Sequence, residues 1–326
     1  MQATAESHAD ASSGDVVQVA KAAGDRLRAD ILRVLAQDSF SVLELAGALD
    51  VAQPNLSHHL KVLLQAGLVS TRKEGTSVYY QRNNHARGLV HALFDALDGE
   101  AMSAKLTRRL TAVHHARSER SKAFFDKHAE ALAQQQALIC EPSVYREAVM
   151  AMVATQVGRA PAGASTAWRA LEVGPGDGEL LAALSPLFAE VIGVDSSANV
   201  LERTAERVSG CANVHLEAQD FTGLEDTRRY QLVVAAMVLH HFASPPRFFA
   251  RAAELLVPGG QLIIAELCSH DQGWVQTHCG DQWLGFENEQ LTAWGAARGL
   301  SVDQHDYYAQ NNGFRVQVLS LTRQPA

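Results

Sequence analysis

Along the first hundred residues apolar positions recur at helical spacing, and near the end of that stretch the pattern gives way to two short runs with strand character. Between Gly24 and Ala36, the side chains Leu27, Ile31, Leu32 and Leu35 fall on one face of a helix, and a second helix follows over Val42 to Leu49. Ser41 stands where that helix needs an N-cap, and Glu44 three residues on completes a capping box. A turn at Asp50 to Gln53 leads to a third helix from about Pro54 to Gln65. Pro54 suits a first helical position, and Gly67 suits the left-handed residue after a helix. Leu68 to Arg72 and Ser77 to Gln81 then read as strands joined by the turn Lys73-Glu74-Gly75-Thr76. Helix, turn, helix and hairpin is the order of a mainly α winged helix-turn-helix domain.

Residues from about Gly99 to Gly158 are amphipathic and read as helical, with Ala112 to Ala137 rich in His, Arg, Ser and Gln. Pro161 and Gly163 mark the loop Ala160 to Ala164. From Trp168 strands and helices alternate, the pattern of an α/β doubly wound sheet of Rossmann-like type. Strands are expected at Arg169 to Val173, Val191 to Val194, Val214 to Leu216, Leu232 to Ala236 and Gln261 to Ala265, with Ser301 to Asp306 and Phe314 to Thr322 bringing the count to seven. The clearest helices are Glu179 to Leu187, Ala198 to Val208 and Pro246 to Leu256. The expected organisation is a disordered leader at 1–14, a winged helix-turn-helix and dimerisation domain at 15–100, a helical linker at 101–165, and the α/β domain at 166–326.

Composition agrees with this division. The chain has 326 residues and 47% hydrophobic content, enough for two cores. No run approaches the ~20 apolar residues of a membrane span, and the start MQATAESHADASSGD has neither a basic nor an apolar signal region. A soluble, cytoplasmic protein is expected. The four cysteines, Cys140, Cys211, Cys268 and Cys279, are scattered without metal-ligand spacing, and no metal is expected. A formal net charge of −8 argues against indiscriminate nucleic-acid binding. Between Gln53 and Arg82, however, Lys61, Arg72, Lys73 and Arg82 face a single acid, Glu74. A basic spot on an acidic chain suits binding to a specific site.

On the third helix Gln53, Asn55, Ser57, His58 and Lys61 are expected on the exposed face, where short polar side chains reach base edges in the major groove. Arg72, Lys73 and Thr76 would sit on the wing, against phosphates or the minor groove. A winged helix used only for protein contacts is the alternative. The segment from about Val16 to Leu97 resembles the ArsR-type bacterial repressors through Asn55, Ser57, His59, Leu60, Leu63, Ala66, Gly67, Leu68, Val69, Gly75, Tyr79 and Tyr80. The resemblance implies a homodimer, paired through the first helix and the helix after the wing at about His85 to Leu97, reading an inverted repeat in double-stranded operator DNA. The metal-sensing members carry ligands this chain lacks: Ser39 to Glu44 holds no thiolate, and His85, His91 and Asp95 form no paired set.

In the α/β domain the segment LEVGPGDGEL, Leu171 to Leu180, is a strand that breaks into a glycine turn and then a helix. Gly174, Gly176 and Gly178 fall at the carboxyl end of the first strand, where such sheets bind ligands, and the helix directs its N–H groups toward the ligand. A dinucleotide turn would place its third glycine at Glu179, and Glu172 and Asp177 would repel a pyrophosphate. Asp195, ending the second strand, suits the two hydroxyls of a ribose; Asp220 suits an adenine amino group, with Phe221 beside the ring. The motif resembles that of the class I S-adenosylmethionine-dependent methyltransferases, as do Gly193 to Ser197, Val233 to Phe242 and Leu255 to Glu266, and the likeness covers about Ala123 to Arg323. It implies S-adenosyl-L-methionine or S-adenosyl-L-homocysteine as cofactor, with Glu172 and Gly174 near the methionine part, Asp195 and Ser196 at the ribose, Asp220 and Phe221 at the adenine, and Met237 and Val238 along the ligand. It also suggests that Phe124, Phe125, Val144 and Tyr145 serve as a lid.

Two functions remain open. One is a transcriptional repressor whose methyltransferase-like domain binds the cofactor as effector, resembling regulators of the methionine cycle that respond to S-adenosylhomocysteine. The other is an active small-molecule methyltransferase with an autoregulatory DNA-binding head. His240 is the candidate base for the second, although methyl transfer from a sulfonium gains most from positioning. The aromatic segment His270 to Phe286 either lines an acceptor pocket or covers the sheet.

Overall fold

The computed structural model describes residues 16–36, 38–83, 88–159 and 167–325, and over 128–137 the backbone alone. The expected leader, His85 and the loop Ala160 to Ala164 lie outside the described residues. The chain divides into two compact units, Met1–Val113 and His114–Ala326. No described helix is long and apolar enough to cross a membrane.

The first unit runs α1 (Val16–Ala23), α2 (Arg26–Leu35), β1 (Phe40–Ser41), α3 (Val42–Leu49), α4 (Gln53–Gln65), β2 (Val69–Glu74), β3 (Ser77–Arg82), α5 (Leu89–Asp98) and the start of α6 (Ala104–Ala137). The expected capping box forms at the head of α3: Ser41 Oγ accepts from the Glu44 N–H at 3.3 Å, and Glu44 Oε2 accepts from the Ser41 N–H at 2.9 Å. Asp50 ends α3 in the left-handed region at φ 60°, and Gly67 takes φ 68° after α4. On α4 Leu56, Leu60 and Leu63 recur at i, i+4 and i+7; all three are buried against Ile31, Leu32, Phe40, Leu45 and Leu68. Each contributes about 1.5–3 kcal/mol of burial, so this face fixes the helix and leaves its polar face outward. The wing is antiparallel in the order β1-β3-β2. The helix expected over Gly24 to Ala36 is α2, and a further helix, α1, precedes it. Asp25 separates the two, its carboxylate capping α2 by accepting from the Arg28 N–H at 3.0 Å. Val16 and Val17 of α1 stay exposed, so α1 carried little of a buried stripe to read.

The second unit holds α7 (Pro142–Arg159), β4 (Arg169–Val173), α8 (Glu179–Leu184), β5 (Glu190–Asp195), α9 (Ala198–Val208), β6 (Val214–Ala218), β7 (Tyr230–Ala236), α10 (Pro245–Leu255), β8 (Leu256–Leu267), α11 (Trp274–His278), α12 (Asn288–Ala296), β9 (Leu300–Ala309) and β10 (Arg315–Arg323). They form a seven-stranded sheet, β6-β5-β4-β7-β8-β10-β9, parallel from β6 through β8, with β10 antiparallel to both neighbours. The chain leaves β4 outward through β5 to β6 and returns to β7 on the other side, which puts the switch point at the carboxyl ends of β4 and β7. Strand β8 begins before its apolar run: Leu256 pairs with Tyr230, and the register then shifts so that Gln261 pairs with Leu232. Helix α12 escaped the pattern: its buried residues are Leu291 and Gly295 alone, and a Glu287–Gln290 capping box starts it.

Candidate functional site

At the switch point the glycine turn takes three left-handed residues in alternation, with φ of 67°, 54° and 79° at Gly174, Gly176 and Gly178. A Cβ on Gly174 would stand 2.5 Å from Val238 Cγ2, so the turns after β4 and β7 approach as closely as a bare backbone permits. Thr204 of α9 clamps the loop, its hydroxyl donating to the Gly176 carbonyl at 2.7 Å. Met237, directly after β7, holds φ 53°, and its N–H donates to the Ala265 carbonyl at 2.8 Å. A non-glycine residue held left-handed is strained, and such strain collects at binding sites.

Glu172 is 3% exposed, and its Oε2 has no hydrogen-bond partner. Burial pushes its carboxyl well above the usual range and Asp177 adds to this, against the opposing Leu181 N–H. Asp195 ends β5 and accepts from the Ser197 N–H at 2.8 Å. Burial pushes its pKa up to about 6; the Ser197 and Ser196 N–H groups pull down and Asp126 pushes up. Ser196 is exposed beside it. Asp220 accepts from the Thr222 N–H at 3.0 Å, whereas the Phe221 ring turns inward onto Phe248 and Phe242, at centroid distances of 5.0 and 6.3 Å. Strand order thus sets Asp220, Asp195, Glu172 with Gly174, and Met237 in sequence along one edge of the sheet.

Part of α6 belongs to this neighbourhood. Ser197 Oγ donates to Asp126 at 3.0 Å, Arg117 donates to the Ala243 carbonyl at 2.8 Å, and the Phe125 ring lies 4.7 Å from that of His241. Phe124 packs so closely against Gly280 that a Cβ there would clash with its ring. Val144 and Tyr145 pack against the core of the unit. His240 is 2% exposed: its Nδ1 lies 2.6 Å from Glu266 Oε1, its backbone N–H donates to Glu266 Oε2 at 3.0 Å, and its Nε2 lies 3.8 Å from Asp281. Burial works against its charge, but the Glu266 and Asp281 carboxylates prevail and push its pKa up to about 9.

In the first unit Gln53, Asn55, Ser57, His58 and Lys61 are all exposed on α4. The Ser57 hydroxyl donates back to the Gln53 carbonyl at 2.9 Å. Lys73 and Thr76 are exposed at the wing tip, whereas Arg72 is half-buried and ion-paired with buried Glu74. Arg82, counted in the basic spot, is buried too: it donates to the Leu32 carbonyl at 2.7 Å and, through both terminal nitrogens, to Asp98 at 2.9 and 2.8 Å. Lys61 and Lys73 are therefore the cations of that spot turned to solvent. His59 is likewise held inside the unit, 3.6 Å from Asp25.

Residues 113–316 match the family model of the methyltransferase domain, and residues 23–72 that of a helix-turn-helix domain. The chain belongs to the class I methyltransferase family, with an ArsR-type helix-turn-helix domain ahead of it. The transcriptional regulator KmtR of Mycobacterium tuberculosis is 41% identical over 83 residues, which are 25% of this chain and 64% of that protein. The biofilm growth-associated repressor of Agrobacterium fabrum is 46% identical over 61 residues, 18% of this chain and 52% of the repressor. The chain thus spans about half to two thirds of these relatives. Among solved structures, the N-methyltransferase NodS from Bradyrhizobium japonicum, in complex with S-adenosylhomocysteine, superposes with TM-score 0.45 at 15% identity, covering 60% of this chain and 99% of NodS.

Within the methyltransferase domain the residues fit the nucleoside this fold generally binds. Its cationic methionine end matches the orphaned acceptor of Glu172, and the bare turn at Gly174 leaves the backbone exposed for close approach. Sequence reasoning missed the partners of His240. Glu266 lies 26 positions and Asp281 41 positions further along the chain, distances at which spacing carries no signal, although Glu266 closes the quoted segment Leu255 to Glu266.

Proposed function

We propose that the chain is a DNA-binding transcriptional repressor whose methyltransferase domain takes S-adenosylmethionine or S-adenosylhomocysteine as effector. The observation that carries the reading is the polar face of α4, where Gln53, Asn55, Ser57, His58 and Lys61 are all exposed: a DNA-reading head has no use in an enzyme that serves metabolism alone. His240, 2% exposed with one ring nitrogen on Glu266 and the other turned to Asp281, is not placed as an open base, which agrees with this reading without deciding it. The nucleoside is taken by a cradle of Glu172 and Gly174 at the methionine part, Asp195 and Ser196 at the ribose, Asp220 with the Phe221 backbone at the adenine, and Met237 along the ligand. Binding without turnover is the use such a cradle has in a chain that also carries a DNA-reading head.

Operator DNA is read by Gln53, Asn55, Ser57, His58 and Lys61 in the major groove, and Lys73 and Thr76 hold the flanking backbone. Arg72 shapes the wing through Glu74. The working form is a homodimer in the cytoplasm, paired through α1 and α5; exposed Val16 at 64%, Val17 at 54% and Leu89 at 47% support this pairing. The regulated genes are those of the methionine cycle, by family likeness. Control needs a coupling of about 1–3 kcal/mol between the sites.

The test against turnover is direct. The purified chain is incubated with S-adenosylmethionine and small-molecule acceptors of the phenol, amine and thiol classes, and S-adenosylhomocysteine is measured over time. The effector reading expects at most one equivalent per chain; sustained release with any acceptor overturns it.

A further inference from the structure

Beside the cradle, His240, His241 and Asp281 bring one ligand atom each within 4.8 Å of one another, all three residues buried. The histidines come from the turn after β7, and Asp281 from the segment between α11 and α12. That segment is stitched to the turn: the Gln282 N–H donates to the His240 carbonyl at 2.9 Å, Gln282 Nε2 to the His241 carbonyl at 2.7 Å and Trp283 Nε1 to the Phe242 carbonyl at 2.8 Å. Gly280, at φ 76°, turns the chain into it.

Three observations point to a cation. Both oxygens of Asp281 are buried with no hydrogen-bond partner, so their lone pairs are unsatisfied and open to a cation. Asp281 Oδ1 lies 3.8 Å from His240 Nε2 and 3.8 Å from His241 Nδ1. A hydrogen bond needs about 2.7–3.2 Å, and two groups bridged by a tetrahedral water stand roughly 4.6 Å apart. Ligands with bonds of about 2.0–2.1 Å to a four-coordinate ion stand about 3.4 Å apart, the spacing nearest to that observed. The third observation is the support behind His240. Its Nδ1 lies 2.6 Å from Glu266 Oε1, which also accepts from the Leu267 N–H at 2.6 Å, so the carboxylate holds the ring with Nε2 turned to Asp281. A carboxylate behind the histidine is the usual second partner of a metal-bound imidazole. An ion bound at Nε2 takes the place of the His240 proton, so that with both rings neutral the two buried carboxylates and one divalent ion leave the cluster without net charge.

We propose that His240, His241 and Asp281 hold a divalent first-row transition ion. Two imidazoles and one carboxylate are borderline donors, which favour Zn²⁺ over the all-oxygen cations Mg²⁺ and Ca²⁺. Three protein ligands leave a fourth place for water. The ion ties the loop at 280–283 to the turn after β7, and that turn begins at Met237. The site is independent of which nucleoside the neighbouring cradle takes.

The full-length protein is stripped with a chelator and titrated with Co²⁺, then Zn²⁺. One tight equivalent of Co²⁺ per chain is expected, with the visible bands of a four-coordinate nitrogen and oxygen site, no thiolate charge-transfer band, and displacement by Zn²⁺. Asp281→Asn should weaken the affinity at least tenfold, and Glu266→Gln, which keeps all three ligands, by about 10–100-fold. His58→Ala and His91→Ala should leave it unchanged. The proposal is overturned if the folded wild-type chain takes up no Co²⁺, if a thiolate band appears, or if either cluster variant binds as the wild type does. Should Asp281→Asn not fold, the wild-type spectrum and Glu266→Gln still decide.

Discussion

A missing side chain matters most at Gly174. A Cβ there would meet Val238 Cγ2 at 2.5 Å on a backbone held at φ 67°. Gly174→Ala should lower stability by about 1–3 kcal/mol and weaken nucleoside binding at least tenfold, while DNA binding by the ligand-free chain persists; thermal melting and calorimetric titration read the two effects. Asp195 adds a pH dependence. Its folded pKa of about 6 lies above its ordinary 3.8, so the native state holds the proton more tightly. The resulting stability is fully present below about pH 3.8 and is lost as pH rises through 6. Asp195→Asn should therefore gain stability over the wild type as pH climbs from 4 to 7, as paired denaturation curves would register. Nucleoside affinity of the wild type should rise over the same interval, because only the ionised carboxylate accepts from both ribose hydroxyls. The glycines and Asp195 were legible in the sequence because a strand ending in a glycine turn is a local pattern. Arg72 and Arg82 were not legible as internal ion pairs. A count of charges cannot distinguish a guanidinium bonded to Asp98 and the Leu32 carbonyl from one facing a phosphate.

Among the elements, the proposed function divides the work of recognition between α4 and the wing. Asn55→Ala should cost about 1–3 kcal/mol and relax preference at one base pair. Lys73→Ala should weaken all sequences alike and lower the slope of log affinity against log salt by about 1. Binding isotherms on operator and scrambled DNA at several salt concentrations separate the two. Helix α6 gives Leu106 and Leu110 to the core of the first unit and pairs Arg109 with Asp50, in the turn before α4. Its later residues Arg117, Phe125 and Asp126 meet the turns around the cradle. Ala116→Pro, which breaks a helix at a cost of about 3 kcal/mol, should leave DNA and nucleoside binding each within a few-fold while the effect of one on the other disappears. Undiminished coupling in that variant would remove α6 from the account. The capping box at Ser41 and Glu44 and the stripe Leu56, Leu60, Leu63 were readable because each is complete within one helix. The start of α1 and the whole of α12 were not: α1 leaves Val16 and Val17 exposed, and α12 buries too little to show a period.

For the whole molecule the sequence revealed two folds in order but not how they divide their labour. A net charge of −8 and a basic spot indicated a specific DNA partner. The structure then reduces the exposed cations of that spot to Lys61 and Lys73, and a modest salt dependence follows. The buried cluster of His240, His241 and Asp281 belongs to this scale as well, since it forms only when the turn after β7 and a loop some forty residues later meet. The central claim is that nucleoside and operator compete or cooperate through one chain, and linkage makes such an effect reciprocal. The deciding measurement is fluorescence anisotropy of the full-length protein on its own upstream DNA at fixed salt, titrated separately with S-adenosylmethionine and S-adenosylhomocysteine. The account predicts that one of the two shifts DNA affinity at least fivefold more than the other, with the same factor appearing in nucleoside affinity when DNA is present. DNA binding that neither ligand alters, while both occupy the cradle, would contradict it.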